Sequence, residues 1–83
     1  MAQTEKIDCP LSKRELEVLF LIAHGYKSKQ IADQLFIDYT TIRTHRQNMM
    51  NKTRTHNMAQ LCSLAVKSEW IKFDPLLNLK EEK

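Results

Sequence analysis

Glycine, proline and cysteine are scarce in this sequence of 83 residues, which has one glycine, two prolines and two cysteines. Because tight hairpin turns depend on glycine, a sheet of short strands is disfavoured, and the apolar residues recur at helical spacing throughout. No apolar run approaches the roughly 18 residues that a membrane span needs, and the N-terminus lacks the charged and apolar regions of a secretory signal. The sequence therefore predicts an all-α fold, and we expect the protein in the cytoplasm without membrane association.

Reactive and metal-binding residue types are also few and scattered. Cys9 and Cys62 lie far apart, which favours two reduced thiols over a disulfide. His24, His45 and His56 are not at a spacing that would hold a metal ion, either with each other or with the cysteines. No nucleophile and base, glycine-rich phosphate loop or buried carboxylate pair is present in the sequence. We therefore expect no metal, no cofactor, no small-molecule ligand and no enzymatic activity.

The length allows one small domain, since a chain of this size buries only about 60% of its unfolded surface. The spacing of apolar residues predicts four helices, over about 13–24, 28–36, 39–53 and 58–69. Residues 11–73 are predicted to form the domain, with a disordered lead-in over 1–10 and a loosely ordered tail over 74–83.

Capping residues mark the predicted helix starts. Ser12 and Glu15 have the spacing of a capping box, Ser28 is the expected N-cap of the second helix, and Asp38 that of the third. Gly25 follows the first helix, where a left-handed residue commonly ends a helix. Only two or three residues separate the second helix from the third, so the chain must turn sharply there. A short helix, a tight turn and a longer polar-faced helix predict a helix-turn-helix.

The third predicted helix lies in a basic part of the chain. Residues 39–57 contain four Lys or Arg residues, two His residues and no acidic residue, although the whole chain has a net charge of only +3. Ile42 and Met49 fall on one side of this helix, which should be buried, while polar donors without a carboxylate cover the opposite edge. One interpretation is a merely basic, solvated helix, and the other is a helix that recognises nucleic acid.

Three side chains on that opposite edge suit the edges of base pairs. Arg43 can donate two parallel hydrogen bonds to guanine, Gln47 can pair in the same way with adenine, and Thr44 offers a methyl group to thymine. The alternatives are a phosphate contact for Arg43 and an idle, solvated amide for Gln47. We predict phosphate contacts from the side chains around the helix start and from nearby cations, namely Lys29, Tyr39, Thr40, Thr41, His45, Arg46, Lys52 and Arg54.

The fourth predicted helix has two apolar stripes, where a domain this small needs only one. The second stripe consists of Ala59, Cys62, Val66 and Trp70, with Met58 beside it. It either packs beneath residues 70–73 or meets a second copy of itself across a two-fold axis. We favour the second possibility, which predicts a homodimer through these five residues.

The sequence resembles the LuxR/GerE-type helix-turn-helix domain of bacterial transcription regulators over about residues 11–71. The resemblance rests on three blocks at the family spacing, in which x is any residue: LSxRExEVL at 11–19, Gly25 with KQIAxxL at 29–35, and TIRxHxxNMxxK at 41–52. It implies four helices, with the third in the major groove of double-stranded DNA and the fourth at the dimer contact. By position it makes Arg43, Thr44 and Gln47 the base readers, with Thr41, His45 and Lys52 supporting the backbone contact.

The sequence departs from the family pattern at a few positions. Lys27 stands where a Ser or Thr cap is usual, which favours Ser28 as the cap of the second helix. Thr53 and Thr55 replace an apolar pair after the third helix, and Met58 replaces a common Arg or Ser. None of these departures lies on the predicted base-reading edge.

The sequence thus predicts a sequence-specific, dimeric DNA-binding transcription regulator at the bacterial nucleoid. The alternative is a protein-interaction module whose basic face and apolar fourth helix bind RNA polymerase or another regulator. The Arg43 and Gln47 edge favours the first, because a protein partner does not require guanidinium and amide groups one helical turn apart.

Overall fold

The computed structural model describes residues 9–72, and within them it contains four α-helices and no β-strand. The helices are α1 (Lys13–Ala23), α2 (Ser28–Leu35), α3 (Tyr39–Thr53) and α4 (Met58–Lys67). The predicted all-α fold is confirmed, and the bounds of α3 agree with the prediction. The expectations for the tail and for most of the lead-in lie outside the described residues.

The start and end of α1 follow the sequence pattern. Ser12 Oγ accepts a hydrogen bond from the Glu15 N–H at 3.1 Å, and Glu15 Oε1 accepts one from the Ser12 N–H at 2.9 Å. The predicted capping box is therefore confirmed. At the other end Gly25 has a φ of +95°, and the Tyr26 N–H donates to the Leu21 carbonyl at 3.0 Å. A glycine is needed here because a side chain would strain this backbone conformation.

The start of α2 differs from the prediction. Lys27 is the N-cap, and its N–H donates to Gln30 Oε1 at 2.7 Å, while Ser28 is already helical. The prediction that Ser28 caps α2 is wrong, because Gln30 satisfies the backbone donor whatever residue stands at the cap. Asp38 is the N-cap of α3 as predicted, but its side chain accepts no hydrogen bond from the first turn of α3.

Three helices end at a residue other than glycine in the left-handed region: Phe36 (φ 58°) after α2, Arg54 (φ 59°) after α3 and Glu69 (φ 63°) after α4. In each case the next N–H donates to the carbonyl five residues earlier, in the pairs Ile37 to Ala32, Thr55 to Met50 and Trp70 to Ala65. The predicted helices 28–36 and 58–69 were too long, because no glycine marks these ends in the sequence. The predicted end of α1 at residue 24 was also one residue late.

One apolar core holds the helices together. Its fully buried side chains come from all four helices and include Val18, Leu19, Ile31, Ile42, Met49 and Leu61. Both α1 and α3 contact each of the other three helices, whereas α2 and α4 do not contact each other. Thus α1 and α3 form the centre, α2 lies to one side with the turn into α3, and α4 lies to the other.

Candidate nucleic-acid interface

The rotation of α3 is fixed by two residues seven positions apart, Ile42 and Met49, both of which are 0% exposed. Anchored in this way, α3 exposes Arg43, Thr44 and Gln47, as the sequence predicts. These side chains line an open concavity of about 520 Å³ together with Thr40, Arg46 and Met50. The exposed edge of α3 is therefore concave and continuous, so a rod-shaped ligand could contact several of its side chains together.

The concavity is polar and carries positive charge. Its lining residues include two guanidinium groups, those of Arg43 and Arg46, and no carboxylate. Gln47 Nε2 donates to Asn51 Oδ1 at 3.2 Å, one turn further along the exposed side of α3. This bond orients the amide and leaves Gln47 Oε1 and one N–H for an outside partner. The edge can thus offer both donors and an acceptor to a ligand.

A long-range hydrogen bond ties the start of α2 to α3. Arg46 Nη1 donates to Ser28 Oγ at 2.8 Å, and within residues 9–72 the buried Arg46 Nε has no hydrogen-bond partner. The half-buried guanidinium therefore positions α2 against α3 rather than extending freely into solvent. Lys29 and Tyr39 lie beside this contact and line an adjoining concavity of about 680 Å³. Sequence reasoning missed the Ser28 contact because the two residues are far apart in the chain.

The other predicted phosphate contacts differ in exposure. Lys29, Tyr39, Thr40 and Arg54 are exposed, while Thr41 and His45 are half-buried. The exposed side chains surround the starts of α2 and α3, apart from Arg54, which follows α3. Their arrangement is compatible with a ligand that runs past both helix starts.

Lys52 has a partner inside the domain. Its Nζ lies 2.8 Å from Glu15 Oε1, and the Glu15 side chain is only 5% exposed, against 42% for Lys52. Burial by itself raises the pKa of the Glu15 carboxyl, but hydrogen bonds from Lys52 and from the Ser12 backbone outweigh it and lower the pKa below the ordinary value of 4.5. One carboxylate oxygen thus caps α1 and links α1 to α3. Spacing in the sequence indicated only the cap.

We expect the domain to lose stability in acid through Glu15. Because the folded-state pKa is lower than the unfolded one, the carboxylate stabilises the fold above about pH 4.5, and this stabilisation disappears as the pH falls through the folded-state pKa. Thermal unfolding between pH 7 and pH 3 measures the effect, with Glu15→Gln as the variant that cannot titrate. The same pH dependence in both proteins would contradict this role.

The second apolar stripe predicted on α4 is present at Ala59, Cys62 and Val66 but does not extend to Trp70. Ala59 and Val66 are exposed, the latter by 49%, and they line a concavity of about 530 Å³ with the half-buried Cys62. Met58 is half-buried beside them. Trp70 does not continue the stripe, because α4 ends at Lys67 and the chain turns at Glu69, which has a positive φ.

Trp70 instead lines a groove against α1, together with Leu16 and Phe20. Cys9 and Cys62 are both free thiols, and burial raises the pKa of the Cys62 thiol. Over residues 9–72 no three His, Cys, Asp or Glu side chains are grouped so that they could hold a metal ion. No helix in that range is long and apolar enough to cross a membrane.

The sequence of this domain matches a known protein family. The sequence pattern of the bacterial regulatory proteins of the luxR family, also called GerE, matches residues 9–65, which is most of the chain. The chain belongs to the luxR family. The predicted resemblance is thus confirmed, and α2 and α3 form the helix-turn-helix of a luxR domain.

Two kinds of relative of this luxR domain agree with the assignment. It is 41% identical over 63 residues, or 76% of the chain, to the oxygen regulatory protein NreC of Staphylococcus aureus strains JH9 and JH1. Those residues are 29% of NreC, so the chain spans less than a third of that relative. The solved VqmA-ligand-DNA complex of Vibrio cholera matches with a TM-score of 0.72 and 27% identity, over 90% of this chain and 33% of VqmA.

Proposed function

We propose that this luxR domain binds double-stranded DNA in a sequence-specific manner, with α3 in the major groove, and that it regulates transcription as a homodimer. The observation that carries the proposal is the concave, carboxylate-free edge of α3 that exposes Arg43, Thr44 and Gln47. A second support is the solved relative, whose complex contains DNA. The site of action is the bacterial nucleoid in the cytoplasm, and the domain has no catalytic role and needs no cofactor.

Base recognition in this proposal depends on three side chains. Arg43 donates two hydrogen bonds to O6 and N7 of a guanine, and Gln47 pairs with N6 and N7 of an adenine one turn further along α3. Since Gln47 Nε2 already donates one hydrogen to Asn51, the amide is oriented before DNA arrives. Thr44 lies between them and contacts a thymine methyl group or a phosphate.

Phosphate contacts hold α3 in the groove. We assign them to Lys29, Tyr39, Thr40, Thr41, His45 and Arg54, several of which surround helix starts whose free N–H groups favour anions. Arg46 acts by holding α2 against α3 through Ser28. Lys52 stays with Glu15, because leaving that buried carboxylate without its cation would cost more than a surface phosphate contact returns.

Selection of bound duplexes from random double-stranded DNA tests the proposal. An enriched motif whose recovery depends on Arg43 is the expected result. A protein-interaction module that binds RNA polymerase or another regulator would enrich no motif, and Arg43→Ala would then leave duplex binding unchanged.

Binding to DNA should weaken steeply as salt is added. A dimer that neutralises roughly six to eight phosphates gives a slope of about −5 to −7 for log affinity against log salt concentration, because each contact releases condensed cations. Fluorescence anisotropy at several salt concentrations measures the slope. The variant Lys29→Ala should reduce the magnitude of this slope by about one for each protomer. A slope near zero in the unmodified protein would count against DNA binding.

The dimer contact is assigned to Met58, Ala59, Cys62 and Val66 on α4. Val66→Glu should convert the dimer to a monomer, because a carboxylate would be buried opposite its own copy at a two-fold contact. Sedimentation velocity without DNA measures this change. Gln34→Glu is the control, since it adds the same charge at an exposed position of α2, a helix that does not contact α4. An unchanged sedimentation coefficient for Val66→Glu would exclude α4 as the contact.

A further inference from the structure

One aromatic side chain in the helix-turn-helix is almost fully exposed. Phe36, at the end of α2, is 91% exposed, whereas the other large exposed hydrophobic residues among residues 9–72, Tyr39 and Val66, are about half as exposed, at 46% and 49%. An exposed ring contributes almost nothing to the hydrophobic stabilisation of a domain.

The backbone conformation at Phe36 also disfavours a residue with a side chain. Its φ of 58° and ψ of 44° are left-handed, a conformation that glycine adopts without penalty and that disfavours residues with a side chain. The chain turns there because the Ile37 N–H donates to the Ala32 carbonyl at 3.0 Å, a bond that glycine would allow equally well. The fold therefore requires the turn but does not require a phenyl ring.

Two carboxylates lie near Phe36 in the chain, Asp33 three residues before it and Asp38 two residues after it. Asp33 and Asp38 are both exposed, and neither side chain forms a hydrogen bond or an ion pair with any of residues 9–72. Asp38 is at the N-cap of α3 yet does not cap it, although an Asp at this position usually accepts from the first turn. We call Asp33, Phe36 and Asp38 the turn patch, which comprises an exposed ring and two exposed carboxylates within six consecutive residues.

The charge of the turn patch identifies the kind of partner. Its three residues carry two carboxylates and no cation, whereas the concavity of α3 has cations and no acid, so the two surfaces suit ligands of opposite charge. An aromatic ring with an acidic rim is complementary to a protein surface that has an apolar pocket bordered by Lys or Arg.

We infer that the turn patch is a protein-docking surface, on which Phe36 inserts into an apolar pocket with a basic rim while α3 holds DNA. The inference rests on the proposed function, because the partner is expected at promoters where the domain is already bound. In this inference the change in transcription depends on the turn patch, whereas the choice of DNA sequence depends on the base-reading edge of α3.

The variant Phe36→Gly removes the ring without disturbing the fold, so it tests docking apart from stability. Because glycine relieves the left-handed backbone and little buried area is lost, the variant should melt no lower than the unmodified protein. The regulator is produced from its own gene in its own host, with Phe36→Tyr as the control that keeps a ring. Chromatin immunoprecipitation measures promoter occupancy, and transcript sequencing of the same cultures measures output.

The expected result for Phe36→Gly is unchanged occupancy with a loss of about fivefold or more in the regulated change of transcript level, as for a truncated aromatic hot spot. Phe36→Tyr should keep the output. Asp33→Lys should lower it at unchanged occupancy, while Glu17→Lys, the same charge change on α1, should not.

Two outcomes would overturn the inference. If Phe36→Gly keeps both occupancy and output, the ring has no partner. If it lowers occupancy, the ring contacts DNA rather than a protein. Failure of the proposed function looks different, because the unmodified regulator would then show no promoter occupancy at all.

Discussion

Arg43→Ala is expected to weaken binding to the selected duplex by about 5- to 150-fold per half-site, because a bidentate pair with guanine contributes about 1–3 kcal/mol of discrimination. Arg43 is exposed on the concave edge of α3, and no carboxylate lines that edge to compete for its guanidinium. Affinity for a scrambled duplex should fall much less, since that binding depends on phosphate contacts. Fluorescence anisotropy with the two duplexes measures both affinities at one salt concentration.

Arg14→Ala is the matched control for this experiment. Arg14 is an exposed arginine on α1 that pairs with Glu17 at 3.1 Å, so the variant removes the same charge away from the concavity. Its affinity for both duplexes should stay close to that of the unmodified protein. An equal loss on the selected and scrambled duplexes for Arg43→Ala would mean that Arg43 contacts a phosphate, and no loss on either would mean that this edge of α3 does not face DNA.

Lys52→Met is expected to lower the free energy of unfolding by about 1–3 kcal/mol and the melting temperature by about 5 to 20 °C. The variant leaves the Glu15 carboxylate, which is only 5% exposed, without the cation that lies 2.8 Å away. Methionine keeps the length and apolar stem of the lysine, so the loss reports the charge and the hydrogen bond. Thermal and denaturant unfolding at pH 7 measure it.

The corresponding control is Arg14→Met, which breaks an ion pair whose partners are 45% and 51% exposed. Surface pairs of this kind contribute about 1 kcal/mol or less, so its melting temperature should move by a few degrees at most. The salt dependence of DNA binding supplies a second test. If Lys52→Met makes the slope shallower while the melting temperature stays the same, Lys52 is a phosphate contact rather than part of the α1 to α3 link.

The local features of this domain could be predicted from the sequence. The bounds of α3, the capping box at Ser12 and the glycine turn after α1 each depend on residues within a few positions of one another. The exposure of Arg43, Thr44 and Gln47 followed from helical spacing alone, because Ile42 and Met49 fix which side is buried. Such features need only the periodicity and capping preferences of a single helix.

The remaining features depend on tertiary contacts or on unusual backbone conformations. The pairs Lys52 with Glu15 and Arg46 with Ser28 join residues that no local pattern connects. The ends of α2 and α4 were missed because Phe36 and Glu69 adopt a conformation usually reserved for glycine. The prediction that Trp70 continues the second stripe of α4 failed for the same reason, since α4 ends at Lys67 and the ring lines a groove against α1. Long-range pairing and local strain are thus the two parts of this structure that periodicity does not encode.

The exposed edge of α3 and the exposed face of α4 line two separate concavities that share no residue. If the domain functions as proposed, the first concavity sets the preferred operator and the second sets the pairing of protomers. A substitution in one concavity then leaves the lining of the other unchanged. Operator preference and partner choice would therefore be able to evolve as separate traits within a chain of 83 residues.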